Sequence, residues 1–378
     1  MTIETYARET LKLTCSRDDL AWALSVVGRA VSTRTTVQIL GGILLRVENG
    51  RLELAATDME MSLRTSFDVV AEKGGSVVVP GRLLVEIVRL LPPGDVTLAY
   101  TPEDGSVSLS CGAASYRLNT YAADDFPRLP GAEPGDLLEL DREAFLETVA
   151  KVSRAASRDE SRPVLTGILV RLEGDIVAMA ATDSYRLSVK ETRLPTAPSG
   201  ELEAIVPARA LGELARIAQG STAETLRLGA QENQVVFVLD GVWVTARRID
   251  GQFPNYRQLR PETFEVEMTL PREELLDVVR RVAVLAQRNS PLRLRFEEGQ
   301  LTIQAQTQDV GEASESLPIS YHGDLLEIGF NPDFLREGLE SVAEADVHLR
   351  LISPLRPGLI TGAGDDFWYL IMPIRLAG

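Results

Sequence analysis

Two copies of one tripeptide, about 125 residues apart, restrict this chain more than any other feature. Ala56-Thr57-Asp58 and Ala181-Thr182-Asp183 each close the same succession of a strand-like run, a Gly-containing turn and a second strand. Thr57 matches Thr182 and Asp58 matches Asp183. The copies then part, into Met59-Glu60-Met61 in one and Ser184-Tyr185-Arg186-Leu187 in the other. A repeated frame with one altered copy points to shared scaffolding that carries a site, and it requires a fold in which one unit recurs.

The recurrence extends well beyond the tripeptide. An amphipathic helix is expected over Ser16 to Ser32, with Leu20, Leu24, Val27 and Val31 at helical spacing behind a Ser16 cap. Asp141 to Ser157 repeats it with Phe145, Val149 and Val152, and Pro271 to Leu285 with Leu275, Val278, Val279 and Val282. Acids open and bases close these helices, which suits the helix dipole. Each is followed by a hairpin: Ile43–Val47 into Leu52–Ala56, Ile168–Leu172 into Ile176–Ala181, and Leu292–Phe296 into Leu301–Ala305, with Gly in every turn. A second half follows in each case, where a strand enters a helix at Val79-Pro80-Gly81, Val206-Pro207-Ala208 and Phe330-Asn331-Pro332, and three short strands come after it. Asp125-Phe126-Pro127 and Gln252-Phe253-Pro254 close the first two units. The expectation is an α+β chain of six helix-plus-antiparallel-strand halves, paired into three tandem domains. Pro/Gly-rich stretches place their limits at 1–129, 130–261 and 262–378.

Chemistry-bearing clusters are absent from the sequence. His322 and His348 are the only histidines, so neither a metal set nor a nucleophile–His–acid set can be assembled around them. No phosphate loop and no Gly-x-Gly-x-x-Gly occurs. Asp124-Asp125 and Asp365-Asp366 read as solvated turn acids, and Cys15 and Cys111 as small buried apolar residues. No catalytic residue, metal or cofactor is expected. Two cysteines, no signal-like start and no long apolar run fit a protein of the reducing cytoplasm that does not enter a membrane.

Charge is the one puzzle. Against 55 Asp and Glu stand 39 Lys and Arg, a net −16, which taken alone argues against nucleic acid. The deficit lies in strands and loops, however, while the helix windows are close to neutral and carry Arg29, Arg82, Lys151, Arg154, Arg209, Arg216 and Arg280. One reading is a set of ordinary solvated helix faces. The other is a helical surface that approaches phosphates weakly, in a salt-dependent way and without reading bases.

The ordered set of marks is specific. Three α+β domains, Ala-Thr-Asp-x-Tyr-Arg-Leu, Phe253-Pro254-Asn255-Tyr256 and the tail Tyr369-Leu370-Ile371-Met372-Pro373-Ile374-Arg375-Leu376 together resemble the sliding-clamp family, the β subunits of bacterial DNA polymerase III. The likeness runs from about Leu11 to Leu376. It implies a DNA polymerase processivity factor with no active site of its own. The implied form is a head-to-tail homodimer closed into a ring around duplex DNA, each domain turning the chain by about a sixth of a circle. Topological linkage would then replace affinity, and an acidic outer surface would be tolerated.

The resemblance also implies partners: the replicative polymerase catalytic subunit, the clamp loader, repair polymerases and mismatch-repair proteins, each bound through a short peptide. The matching pocket positions are Leu165, Thr182, Ser184, Tyr185, Arg186, Leu187, Pro254, Leu259, Asn331, Phe334, Leu355, Pro357, Leu370, Met372, Pro373, Ile374 and Arg375. Arg34 and Arg82 match DNA-contact positions, and Tyr116 and Leu118 are matched against Val284 and Leu285 as the ring interface. Departures from the family pattern fall at Ser184-Tyr185, Gln258, Phe334 and Pro163-Val164, which bear on peptide preference and on one DNA contact. Two other readings of the residues stay open: a repeat-built scaffold that binds peptides without encircling DNA, and a carboxylate-dependent hydrolase using Asp183.

Overall fold

The computed structural model describes residues 10–32, 36–129, 137–231, 233–286 and 290–376. Arg34 and the Pro130-Gly131 end of the expected first linker lie outside them. Seven helices occur among the described residues: α1 (Arg17–Val27), α2 (Gly81–Leu90), α3 (Arg142–Val152), α4 (Pro163–Thr166), α5 (Ala208–Ala218), α6 (Arg272–Ala283) and α7 (Pro332–Glu340). Six of them match the expected positions. The single-turn α4 has no periodicity by which a sequence could announce it.

Each of the six longer helices has one strand before it and three after it, and one further strand, Val70–Lys73, lies between the first two halves. The first half, for example, runs Leu11–Ser16, α1, Gly42–Glu48, Arg51–Thr57 and Met61–Asp68. The expected Ser16 cap forms, its side chain accepting from the Asp18 N–H, and Asp141 caps α3 in the same way, accepting from the Ala144 N–H at 2.8 Å. α1 and α3 stop earlier than their apolar periodicity suggests, passing into the 3₁₀ turns Gly28–Ala30 and Ser153–Ala155. At the end of α1 a side chain on Gly28 would meet Val85 of α2 at 3.2 Å, so close packing of two helices sets that point.

The chain forms two compact units, Met1–Leu140 with Arg209–Arg248, and Asp141–Ala208 with Ile249–Gly378. The middle repeat is therefore divided between them. Strand pairing gives the reason within each unit. In the first, Met61–Asp68 pairs antiparallel with Val242–Arg247, with Leu63 opposite Val244 and Arg64 opposite Trp243. The Arg64 guanidinium lies 4.9 Å over the Trp243 ring. This seam joins two four-stranded halves into a sheet of eight. In the second unit Arg186–Arg193 pairs with Phe367–Ile371, with Leu187 opposite Leu370 and Val189 opposite Trp368, again within a sheet of eight. Backbone hydrogen bonds thus cross the boundaries that Pro and Gly mark in the sequence.

Cores follow the expected apolar faces. In the second unit Leu275, Leu276, Val279 and Val282 of α6 and Leu335 and Leu339 of α7 pack with Phe296, Ile303, Phe330, Val347 and Tyr369. In the first, Phe126 of the Asp-Phe-Pro closure is buried against Leu44, Ala55 and Val78. The third repeat lacks the Thr-Asp tripeptide: its strand Gln300–Thr307 ends in another turn at 308–310, and Thr307 donates to the Leu285 carbonyl at 2.5 Å. No helix among the described residues is long and apolar enough to cross a membrane.

Cys15 and Cys111 are both buried. Burial first, with Asp19 and Asp95 adding, pushes the Cys15 thiol up to about 12. Since the thiolate is the nucleophile, Cys15 is expected to resist iodoacetamide at pH 8 in the native protein and to react fully in denaturant. Mass spectrometry of timed samples reads this directly, and native labelling at the rate of a free thiol would contradict the burial.

Candidate functional site

The repeated Thr-Asp pair makes a turn by purely local bonds. In the second unit the Thr182 hydroxyl donates to the Arg186 carbonyl at 2.6 Å and accepts from the Ser184 N–H at 3.1 Å. Asp183 Oδ1 accepts from the N–H groups of Tyr185 and Arg186 at 2.9 and 3.1 Å. The first unit repeats every bond: Thr57 to the Met61 carbonyl at 3.0 Å, the Met59 N–H to Thr57 at 3.0 Å, and Glu60 and Met61 N–H to Asp58 Oδ1 at 3.1 and 2.9 Å. Asp and Thr side chains are suited to this because they can stand in for a backbone acceptor two residues on. The turn forces positive φ on the residue after Asp, +75° at Met59 and +78° at Ser184. The shared tripeptide is scaffold in both copies.

What the two turns hold is different. In the first unit the second oxygen of Asp58 takes Arg209 of α5 at 2.5 Å, and the Glu60 carbonyl accepts from the Arg247 N–H at 2.8 Å. In the second unit Asp183 Oδ2 takes Arg186 Nε at 3.0 Å, and the Tyr185 carbonyl accepts from the Met372 N–H at 2.8 Å. An arginine in one copy is thus an exposed methionine in the other, followed by the tail Pro373-Ile374-Arg375. The tail is held in turn by the Ile374 N–H on the Gly329 carbonyl at 2.8 Å.

Arg186 gathers the rest of the site. Only 8% exposed, its guanidinium reaches Asp183, Glu337 of α7, the Arg154 carbonyl and the Tyr369 hydroxyl, and it lies 4.3 Å over the Phe334 ring. Burial works against its charge, but Tyr369 and Glu337 outweigh that effect and hold its pKa above the ordinary arginine value. Burial raises the Tyr369 hydroxyl as well, so the phenol stays neutral and donates to the Phe334 carbonyl at 2.9 Å. Asn331 caps α7, accepting from the Asp333 and Phe334 N–H groups at 2.9 and 3.1 Å. Phe334 is therefore fixed by its cap, by Tyr369 and by Arg186 at once.

The remaining positions sort by exposure. Tyr185 is 61% exposed and Met372 40%, and Ser184, Pro254, Leu259, Leu355 and Arg375 are also exposed. Leu165, Asn331, Phe334, Pro357, Pro373 and Ile374 are half-buried. Thr182, Arg186, Leu187 and Leu370 are buried, the last two opposite one another in the sheet. The structure joins the Thr182–Leu187 turn, the first turn of α7 and the tail by direct bonds. Pro254 and Leu259 are carried on a segment anchored by Tyr256, whose ring lies 6.4 Å from Trp368. Leu355 and Pro357 sit on the approach to strand Gly358–Thr361, which pairs with Phe367–Ile371. Arg162, which donates to the Ser184 hydroxyl at 3.0 Å, is an addition that no sequence pattern flags.

The helix bases are less free than their sequence suggests. Arg29 and Arg216 bind Glu213, Arg209 binds Asp58, and Arg154 and Arg280 bind Glu340. Lys151 donates to the Ser341 carbonyl at the end of α7 and lies 5.4 Å over Phe367, and burial lowers its pKa. Arg82 is exposed, with no salt bridge among the described residues. Of the expected interface positions, Tyr116 and Leu118 lie on Ala114–Asn119, an outer strand of the five-stranded sheet, and Tyr116 is exposed. Val284, just past α6, is 81% exposed, while Leu285 leans on the core. Among the described residues no three His, Cys, Asp or Glu side chains are grouped to hold a metal.

Six helix-and-strand halves in three repeats, with one copy of a shared turn altered, define a clamp-type architecture. Models of the N-terminal, central and C-terminal domains of the DNA polymerase III β subunit match residues 11–130, 139–255 and 257–375. The chain belongs to this family, the sliding clamps, which are processivity factors without catalytic activity of their own. It is 36% identical over 375 residues to the β sliding clamp of Synechococcus elongatus, with 97% of this chain and all of that one covered. It is 35% identical over 386 residues to that of Streptomyces coelicolor, at the same coverage. The solved sliding clamp of Bartonella birtlesii, bound to griselimycin, matches with a TM-score of 0.91 at 28% identity, over 97% of this chain and all of that one.

Asp183 thus stands in the site as a structural acid. Replacing it by Ala leaves two N–H groups without their acceptor and the buried Arg186 charge short of a partner, at an expected cost of about 3–5 kcal/mol. Asp183→Asn keeps an acceptor for the backbone and should lose less. Urea unfolding of the two variants checks the order, and equal stability of Asp183→Ala and wild type would contradict it.

Proposed function

We propose that the protein acts as a head-to-tail homodimeric ring of three domains per chain, 1–129, 130–261 and 262–378. In this reading the ring encloses duplex DNA, slides on it, and tethers the replicative polymerase catalytic subunit, the clamp loader, repair polymerases and mismatch-repair proteins by short peptides, in the cytoplasm. The observation that carries the tethering is the difference between the two Thr-Asp turns. Where the first ends on Arg247, the second bonds exposed Tyr185 to exposed Met372, next to the Arg186 that lies over Phe334. An apolar wall with an adaptable methionine and a few polar groups suits a peptide carrying Leu and Phe side chains. Leu165, Ser184, Pro254, Leu259, Leu355, Pro357, Pro373, Ile374 and Arg375 complete the pocket. Thr182, Asn331, Leu187 and Leu370 shape it from behind, and Arg186 acts through Phe334.

Ring closure is assigned to Tyr116 and Leu118 of one protomer against Val284 and Leu285 of its partner. An outer strand with unpaired backbone groups is a natural docking edge, and Val284 is an exposed apolar side chain that such a contact would cover. DNA contact is assigned to Arg82 first, with Arg29, Arg154, Arg209, Arg216 and Arg280 behind it and Arg34 by position. Lys151 contributes through the field of its charge, since its ammonium is turned to Ser341.

Topological linkage has a distinctive readout. Protein loaded on a nicked circular duplex should be retained through a sizing column and released once the circle is cut to a linear form. Equal retention on both forms, or a monomer under all conditions, would reject the ring in favour of a peptide-binding scaffold. For the pocket, deletion of Met372 to Gly378 should abolish binding of a Gln-x-x-Leu-Phe peptide and leave the dimer mass unchanged. Normal binding by the truncated protein would place the site elsewhere.

A further inference from the structure

The arginines on the helices are not simply a positive surface. In the first unit Arg29, in the 3₁₀ turn after α1, lies 3.1 Å from Glu213 of α5, and Arg216 of the same helix lies 2.5 Å from the other oxygen of that carboxylate. In the second unit Arg154, in the 3₁₀ turn after α3, pairs with Glu340 of α7, and Arg280 of α6 reaches it at 2.9 Å. Both units therefore place one carboxylate between two guanidiniums, with one guanidinium in each case supplied by the turn that ends a first-half helix.

Depth gives this arrangement its direction. The carboxylate side chains are 12% exposed at Glu213 and 23% at Glu340, whereas Arg29, Arg216, Arg154 and Arg280 are each more than a third exposed. The acid sits beneath and the bases face outward. Burial raises the Glu340 carboxyl, but Arg280 and Arg154 outweigh it and hold the group below its ordinary range, so it stays ionised near neutral pH. Other charges near these clusters are Asp277, 3.6 Å from Arg280, and Glu337, which is taken up by Arg186.

We propose that Glu213 and Glu340 are positioning residues, each of which holds back the attraction of its own pair of arginines for a polyanion. Each fixes two guanidiniums and cancels one of their charges, so an arriving phosphate meets arginines already committed to a carboxylate. The inference rests on the DNA reading above and deepens it: the protein tunes its hold on the duplex downward, so that a threaded ring meets little friction. Each phosphate neutralised by a free base adds about 0.9 to the slope of log K against log salt. Paired bases add less.

The test measures binding of the full-length protein to a fluorescent linear 30-base-pair duplex across a salt series. Glu340→Gln, and Glu340→Gln with Glu213→Gln, are compared with wild type and with Arg154→Gln. Freeing about two arginines per chain should tighten binding at low salt by roughly tenfold or more and steepen the salt slope by up to about 2 units. Arg154→Gln should weaken binding. A carboxylate that only braces the fold would lower the melting temperature and leave the slope alone. If the double variant does not fold, Glu340→Gln carries the test, because its carboxylate is the less buried of the two. Carboxylate variants that bind no more tightly than wild type, or without a steeper slope, overturn the proposal even if wild type is retained on circles. Tighter and steeper binding together with no retention on circles would instead overturn the ring and leave the carboxylates' role standing.

Discussion

The second unit depends on one buried positive charge. A guanidinium taken out of water is tolerated only where its donors are met and its charge is answered. Arg186 meets both conditions by drawing five partners around itself: a turn, a helix, a 3₁₀ carbonyl, a phenol and an aromatic face. The consequence is geometric. Each partner is held where Arg186 needs it, so Phe334, the tail after Ile371 and the Ser184-Tyr185 corner keep a set relation. A surface organised in advance loses less entropy on binding, and under the proposed function the polar contacts of Arg186 would supply that organisation.

The first unit shows what the same frame does without that residue. Met61 occupies the place of Arg186, and Asp58 finds its cation on α5 instead. The turn, its hydrogen bonds and its positive φ survive unchanged, yet the corner leads to Arg247 and not to an exposed methionine. Duplication thus preserved the part of the structure that is locally bonded and left its outward contacts free to diverge. In the third repeat the strand ends at Thr307 in a differently bonded turn, with the Val310 N–H on the Thr307 carbonyl and positive φ at Asp309.

Charge follows a similar logic. A chain with a net −16 can still face a polyanion if its acids are distributed well. Here several of the acids nearest the helix arginines lie under them, at Glu213, Glu340 and Asp58, where they orient as well as neutralise. The near-neutrality of the helices is therefore an arrangement of specific pairs.

Much of this was determined by sequence alone, wherever the physics is local. The Thr-Asp turn bonds across two to four residues, the Ser16 and Asp141 caps across two or three, and the apolar stripes of α1, α3 and α6 recur with helical period. Such features are written where they act, and so the six halves, the Ser16 cap and the family could be read directly. The divergence of the two copies after Asp was also legible before any coordinates. Tertiary structure decided the rest. The sheets join halves of different repeats, because Met61–Asp68 and Val242–Arg247 present matching edges that no Pro/Gly boundary reveals. Arg186 meets Glu337 across 151 residues and Arg29 meets Glu213 across 184. Arg29, Arg154, Arg209 and Arg280, exposed-looking in the sequence, became paired for this reason: an ion pair between distant segments exists only once the backbone has closed, and no spacing along the chain encodes it.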